Sequence, residues 1–150
     1  MAERTFSCPI TKGERILVAL DGSHFSERAL DQALSMAKIC NSKLFAISIV
    51  DLYPEMMALA PELEEKLSQE VRETLERAKQ AADKENISCE TIVHVGGPAN
   101  EFIVQEAKDR DIDLIVMGTH GKTAFERVVM GSVTERVIGH APCPVMVVPS

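Results

Sequence analysis

Five compact apolar runs, set apart by longer amphipathic stretches, leave this chain few folds to choose from. "RILVAL" (15–20), "KLFAISIV" (43–50) and "DLIVMG" (113–118) are too short for buried helices and read as buried strands. "SCETIVHV" (88–95) alternates apolar and polar residues like a more exposed strand, and "PVMVVP" (144–149) closes the chain with a fifth. Between the runs, apolar residues recur every three or four positions. In residues 24–40, Phe25, Ala29, Leu30, Ala33, Leu34 and Ala37 share a helical face behind a capping Asp21 or Ser23. In residues 62–85, Leu63, Leu67, Val71, Leu75, Ala78 and Ala82 do the same, with Glu62/Lys66 and Glu73/Arg77 as i,i+4 pairs on a solvated face. Pro98 opens a helix that turns Ile103, Val104 and Ala107 inward, and "SVTERVIGH" supplies the last helix. Residues 51–61 hold two prolines and are expected to be irregular, with Met56 and Met57 placed to cover an apolar site. The order βαβαβαβαβ predicts an α/β domain with one parallel, doubly covered sheet and right-handed crossovers.

Composition fits that architecture. Aromatic residues make up 4% and Trp is absent, so the core must come from Val, Ile, Leu, Ala and Met, the usual filling of a parallel sheet between helices. A length of 150 residues suits one domain, read here as residues 15–150 behind an extension at 1–14. The net charge of −7 argues against nucleic acid as a partner, since no basic face is visible to displace counterions from phosphates. The polar start has no apolar leader, and no run approaches the roughly 18 residues that span a bilayer, so no membrane is expected and the cytoplasm is the expected compartment. Cys8, Cys40, Cys89 and Cys143 lie far apart without a C-x-x-C pair, and they are expected to be separate reduced thiols.

"MGTHGKTAFERVVMGS" (117–132) carries the chemistry. It contains Gly121-Lys122-Thr123, the last three letters of a Walker loop, yet position 116 is Val and the preceding glycine is Gly118. The anion nest of that motif cannot form with this spacing. What remains is Gly118-x2-Gly121-x9-Gly131-Ser132. Gly118 ends a strand, where a missing Cβ lets a ribose or phosphate come close to the main chain. Gly121 can take a positive φ and turn the chain. Gly131-Ser132 opens a helix whose first N–H groups, at Ser132, Val133 and Thr134, face an anion along with the helix dipole. The hydroxyls of Ser132 and Thr134 add donors. A strand-to-loop turn and close helix packing would use the same glycines, and spacing alone leaves both readings open.

The element order, the early "ALDGS" and the stretch "MGTHGKTAFERVVMGSVTERVIGHAPCPVMVVP" together resemble the universal stress protein family over nearly all of the chain after Arg15. The most specific part is G-x2-G-x9-G-[ST], which in that family marks the ATP-binding branch. The resemblance implies a Rossmann-like open sheet of five parallel strands in the order 3-2-1-4-5. Ligands in such sheets lie where the strand order reverses, outside the carboxyl ends, so Asp21 and Gly118 should meet there. It further implies that Ala19, Leu20 and Asp21 lie along the nucleoside, with Asp21 near the ribose or a phosphate-bound Mg²⁺ or Mn²⁺. Ile49 or Val50 would offer main-chain contacts to adenine, and Met117 would pack near the base. Gly118 and Gly121 would follow the ribose and phosphates, Gly131, Ser132 and Val133 would hold the phosphates, and His120 and Lys122 would add positive charge. Family members often carry Pro or Val where Ala19 stands, so that wall has its own shape here. The family also implies a homodimer through the last strand, 144–149, a short apolar edge that invites antiparallel pairing.

His24, His94 and His140 have no carboxylate or cysteine at ligand spacing, and Ser23, Ser26 and Ser132 lack a His-Asp pattern, so neither a metal centre nor a hydrolase triad is expected. Three functions follow. The first is a stress-response regulator whose ATP occupancy alters the loops at 51–61 and 122–130 and thereby its partners. The second is a slow ATPase or autophosphorylating enzyme, with Arg127 and Arg136 as available cations. The third is a nucleotide-free dimeric interaction protein.

Overall fold

Ile16, Leu17 and Val18 of β1 (Arg15–Ala19) are wholly buried, and alternate side chains enter two different cores. Ile16 and Val18 join one core with α1 (His24–Cys40), Leu44 and Ala46 of β2 (Lys43–Val50), and the later half of α3 (Pro61–Lys84). Leu17 joins the other with Phe45 and Ile47, packed by α4 (Ala99–Asp109) and α5 (Ser132–His140). The computed structural model describes residues 6–122 and 130–149. In it, β1 pairs with β2 and with β4 (Leu114–Gly118), while β3 (Cys89–Val95) and β5 (Val145–Val148) form the edges. All four pairings are parallel and the order is β3-β2-β1-β4-β5. This is the predicted Rossmann-like sheet.

Small residues set how closely α1 approaches. Ala29, Ala33 and Ala37 are at most 1% exposed, so the helix rests directly on the strands. Its start is capped by the Ser23 hydroxyl, which accepts from the Ser26 N–H, and its end by Asn41 in the left-handed region at φ 52°. The helix α3 buries Val71, Leu75, Ala78 and Ala82. Its first turns reach beyond the core, with Leu63 exposed and Leu67 packed half-buried at the core's margin. The expected Glu62/Lys66 and Glu73/Arg77 ion pairs do not form among the described residues; Glu73 accepts from Gln69 at 2.9 Å instead.

Three expectations are corrected. Residues 54–59 are not irregular: α2 (Pro54–Leu59) and α3 each begin on a proline, whose fixed φ and missing N–H suit a first helical turn. The two prolines start two separate helices that break at Ala60, so no single helix runs through the segment. Second, Cys8 and Cys40 are not separate thiols but a disulfide that closes a separation of 32 residues. No spacing rule reveals such a pair, because it depends on residues 6–14 folding back against the end of α1. Third, His94 has a carboxylate partner: its Nε2 lies 2.8 Å from Glu106 and its ring stacks on Phe102. Arg110 binds Glu106 and Glu90 beside it and covers the Phe45 ring. Burial works to raise the Glu106 carboxyl, but hydrogen bonds from Arg110 and His94 hold it below the usual range.

Candidate functional site

The strands around the crossover point have unequal lengths. The β1–β2 register ends at Ala19 opposite Ile47, with Leu20 N–H donating to the Ile47 carbonyl at 2.9 Å, while β2 continues to Val50. In a parallel ladder, alternate residues turn both main-chain groups to the same side. Ile47 faces β1, so Ile49 does too, at a level where β1 has already ended. Val50 faces β3, and its carbonyl accepts from Leu52 and Gly96, each at 2.9 Å. Of the two residues proposed for main-chain contacts, Ile49 therefore presents an open edge and Val50 does not.

A cavity of about 600 Å³ fills this gap, within the roughly 300–1,000 Å³ usual for small-ligand sites. All fourteen sequence-derived candidates line it: Ala19, Leu20 and Asp21 after β1, Ile49 and Val50 on β2, Met117, Gly118, His120, Gly121 and Lys122 from β4 onward, and Gly131, Ser132, Val133 and Thr134 at α5. The helix α3 was missed as a wall. Leu67, Glu70, Val71 and Thr74 overhang the cavity from its early turns. Their i,i+4 spacing was legible, but not that this half of the face borders a cleft as well as the core. Ser26, Ser48, Asp51, Ala99 and Ile103 complete the lining. A second hollow of about 630 Å³ lies at the amino ends of the strands, where Asp113 already accepts the N–H groups of Glu14 and Arg15.

The glycines act through close approach. A Cβ on Gly118 would lie 2.8 Å from Phe25 Cβ and 3.0 Å from its carbonyl carbon. Gly118 thus lets α1 sit against the end of β4, and it is Phe25 that occupies the space its missing Cβ leaves. Gly121 does not adopt the positive φ expected of it; its missing Cβ leaves room for Asp21, whose Oδ2 would be 2.8 Å away. In the loop after β1, Gly22 between Asp21 and Ser23 takes a positive φ of 82°.

Asp21 is a junction. Oδ1 accepts from the Ser23 N–H at 2.9 Å and hydroxyl at 2.5 Å, and Oδ2 from the Lys122 N–H at 2.8 Å. The carboxylate thus ties the loop after β4 to the loop after β1. The Lys122 ammonium reaches across to Glu70 at 3.1 Å. Behind them α5 begins at Gly131, which has no side-chain cap. The Gly131 N–H donates to the Thr119 carbonyl at 2.7 Å, so the N–H groups of Ser132, Val133 and Thr134 are those a helix start leaves without an intrahelical partner. Thr134 departs from its expected role: its buried hydroxyl donates to the Gly118 carbonyl at 2.9 Å, fastening α5 to β4. Ser132 is exposed. Among the described residues no group of three or more His, Cys, Asp or Glu could hold a metal ion. Arg127 lies outside the described residues.

Comparison with known proteins agrees with this architecture. The universal stress protein family model matches residues 13–149. Universal stress protein MJ0531 of Methanocaldococcus jannaschii is 41% identical over 140 residues, covering 90% of this chain and 81% of that protein. The solved structure of hypothetical protein MJ0577 is similar with a TM-score of 0.83 at 30% identity, over 93% of this chain and 97% of that one. The universal stress protein from Archaeoglobus fulgidus in complex with dAMP is similar with a TM-score of 0.72 at 26% identity, over 90% and 97%.

Proposed function

This chain belongs to the universal stress protein family, and from that premise we propose that it is an ATP-binding regulatory protein whose cleft between β1 and β4 holds the nucleotide. One observation carries the reading: an open main-chain edge at Ile49 and an uncapped helix start at Gly131–Thr134 line the same cavity. The first suits the donor and acceptor groups on a purine edge. The second suits phosphate, because unpartnered N–H groups and the helix dipole point at it. The dAMP complex of the Archaeoglobus fulgidus relative supports an adenine nucleotide as the ligand class. Binding rather than turnover is favoured by Asp21, whose carboxylate is engaged by three protein donors rather than left open to orient an attacking water.

In this reading Ala19, Leu20, Ile49 and Met117 surround the nucleoside, and Ser132 and Val133 hold phosphate. A Mg²⁺ or Mn²⁺ ion would arrive with the phosphates and take most ligands from them and from water, with Asp21 as its protein carboxylate. Occupancy would reposition residues 51–61 and 122–130, of which 123–129 lie outside the described residues, and so alter a partner surface. The β5 edge, with Val145, Met146 and Val147 half-buried, would pair two copies. No helix of the described residues is long and apolar enough to cross a membrane, and the proposal places the protein in the cytoplasm.

The test is a calorimetric titration with ATP, AMP and GTP, with and without Mg²⁺, alongside the variant Gly131→Val. A Cβ there already lies 3.2 Å from the Thr119 carbonyl oxygen, and the larger side chain would crowd the helix start. The expected result is adenine-nucleotide binding that this variant lowers at least about 100-fold while it stays folded by circular dichroism. No binding at millimolar nucleotide, or equal binding in both proteins, overturns the reading.

A further inference from the structure

We propose that Cys8 and Cys40 form a reversible dithiol–disulfide couple, exchanging with a small-molecule disulfide, whose oxidised form clamps residues 8–14 onto the end of α1. The couple sits at the amino end of β1, away from the cleft, and does not depend on the nucleotide reading.

The geometry is built for the pair. The two Cα atoms stand 4.7 Å apart, inside the span a disulfide bridges. A Cβ on Gly13 would lie 2.5 Å from Cys8 Sγ and 3.0 Å from Cys40 Cβ, so a glycine makes the room that the bridge occupies. Beyond it the main chain is already docked: Lys43 N–H donates to the Glu14 carbonyl at 2.8 Å, and the Ser42 hydroxyl donates to the Gly13 carbonyl. Ile10 packs against the core beneath α1. These contacts bring the arm back beside the end of α1, where the two sulfurs can meet. Neither cysteine is buried, so a small thiol or disulfide can reach them. The other two cysteines are different. Cys89 is buried and Cys143 half-buried, and burial pushes both thiols up from their ordinary value, leaving little thiolate to compete.

The exchange is balanced by the small disulfide. One cysteine of the pair, as thiolate, attacks a sulfur of glutathione disulfide, and a mixed disulfide forms as one glutathione leaves. The second cysteine attacks the protein sulfur of that bond, the Cys8–Cys40 bond forms, and the second glutathione departs. Two electrons pass to the small disulfide, and the two thiol protons end on the two glutathiones. A reducing thiol pool runs the same steps backward.

The experiment equilibrates the folded full-length chain in glutathione buffers of graded ratio, quenches with acid, alkylates under denaturing conditions and reads the mass of each cysteine peptide. In parallel, trypsin reports cleavage after Lys12, which is exposed. The expected result is a reversible transition that protects Cys8 and Cys40 together and leaves Cys89 and Cys143 alkylated. Cleavage after Lys12 should be about tenfold slower in the oxidised form, because opening of the arm is suppressed. Cys8→Ser and Cys40→Ser should each abolish the transition, and the Cys89→Ser/Cys143→Ser double variant should retain it. The proposal is overturned by a pair that stays reduced at every ratio, by one that resists reduction until the protein unfolds, by oxidation at Cys89 or Cys143 instead, or by equal cleavage in both states.

Discussion

Replacing Thr134 with valine isolates the fastening between α5 and β4. The two side chains have nearly the same shape, and both are β-branched, so helix propensity barely changes. What disappears is one hydroxyl that donates at 2.9 Å to the Gly118 carbonyl in a site only 3% exposed. The carbonyl loses that donor where water cannot easily replace it, a loss of about 1–3 kcal/mol. For a chain of 150 residues, each kcal/mol moves the melting temperature by roughly 3 °C, so a drop of about 3 to 9 °C is expected. Urea denaturation should show a lower midpoint with an unchanged slope, and Ser132→Ala, which alters an exposed hydroxyl, should stay within about 0.5 kcal/mol of the parent. AMP affinity should fall modestly, because the helix start is less firmly aimed. If Thr134→Val keeps full stability but loses AMP binding more than about 100-fold, the hydroxyl serves the ligand and the fastening argument is wrong.

Other outcomes follow from the same geometry. Gly118→Ala places a carbon 2.8 Å from Phe25 Cβ and 3.0 Å from Phe25 main-chain atoms, and should cost about 1–3 kcal/mol in thermal or urea unfolding. Glu70→Gln frees the Lys122 ammonium and removes a negative charge from the cavity wall, so ATP affinity should rise about two- to fivefold by calorimetry; a fall would mean that Glu70 positions Lys122 for the ligand. Hydrogen bonds from Lys43 and Arg110 hold Glu90 below its ordinary value of 4.5, and Glu106 is held low as well. Their stabilisation is therefore complete above that value and is lost as pH falls through the lowered values of the folded state. Arg110→Leu should be less stable than the parent at pH 7, and the gap should narrow below about pH 4; a gap independent of pH would assign the loss to packing on Phe45 alone.

The elements and the parallel α/β class were legible because the change of period from two to between three and four survives any detail of packing, whereas the strand order came from the family resemblance alone. The prolines at 54 and 61 misled the reading because their effect depends on position: at a first helical turn the missing N–H has no intrahelical partner to lose. Gly118 and Gly121 were picked out as positions without room for a side chain, but the positive φ expected of Gly121 is not taken. A sequence shows that a side chain is absent and not which neighbour fills the space, here the Phe25 main chain and the Asp21 carboxylate. The wall from α3 and the Cys8–Cys40 bond were out of reach for a related reason. Both join segments distant in the chain, and no local pattern encodes their meeting.

The overrun of β2 past β1 has an evolutionary consequence. The hydrogen-bonding groups that Ile49 presents at this edge belong to the peptide unit itself, so nearly every codon change there leaves a donor–acceptor pair in place, proline being the exception. On the proposed reading, drift can reshape the hydrophobic lining one residue at a time and leave this edge able to pair with a heterocycle. Inventories of invariant side chains would therefore overlook this edge, whose chemistry is inherited with the topology.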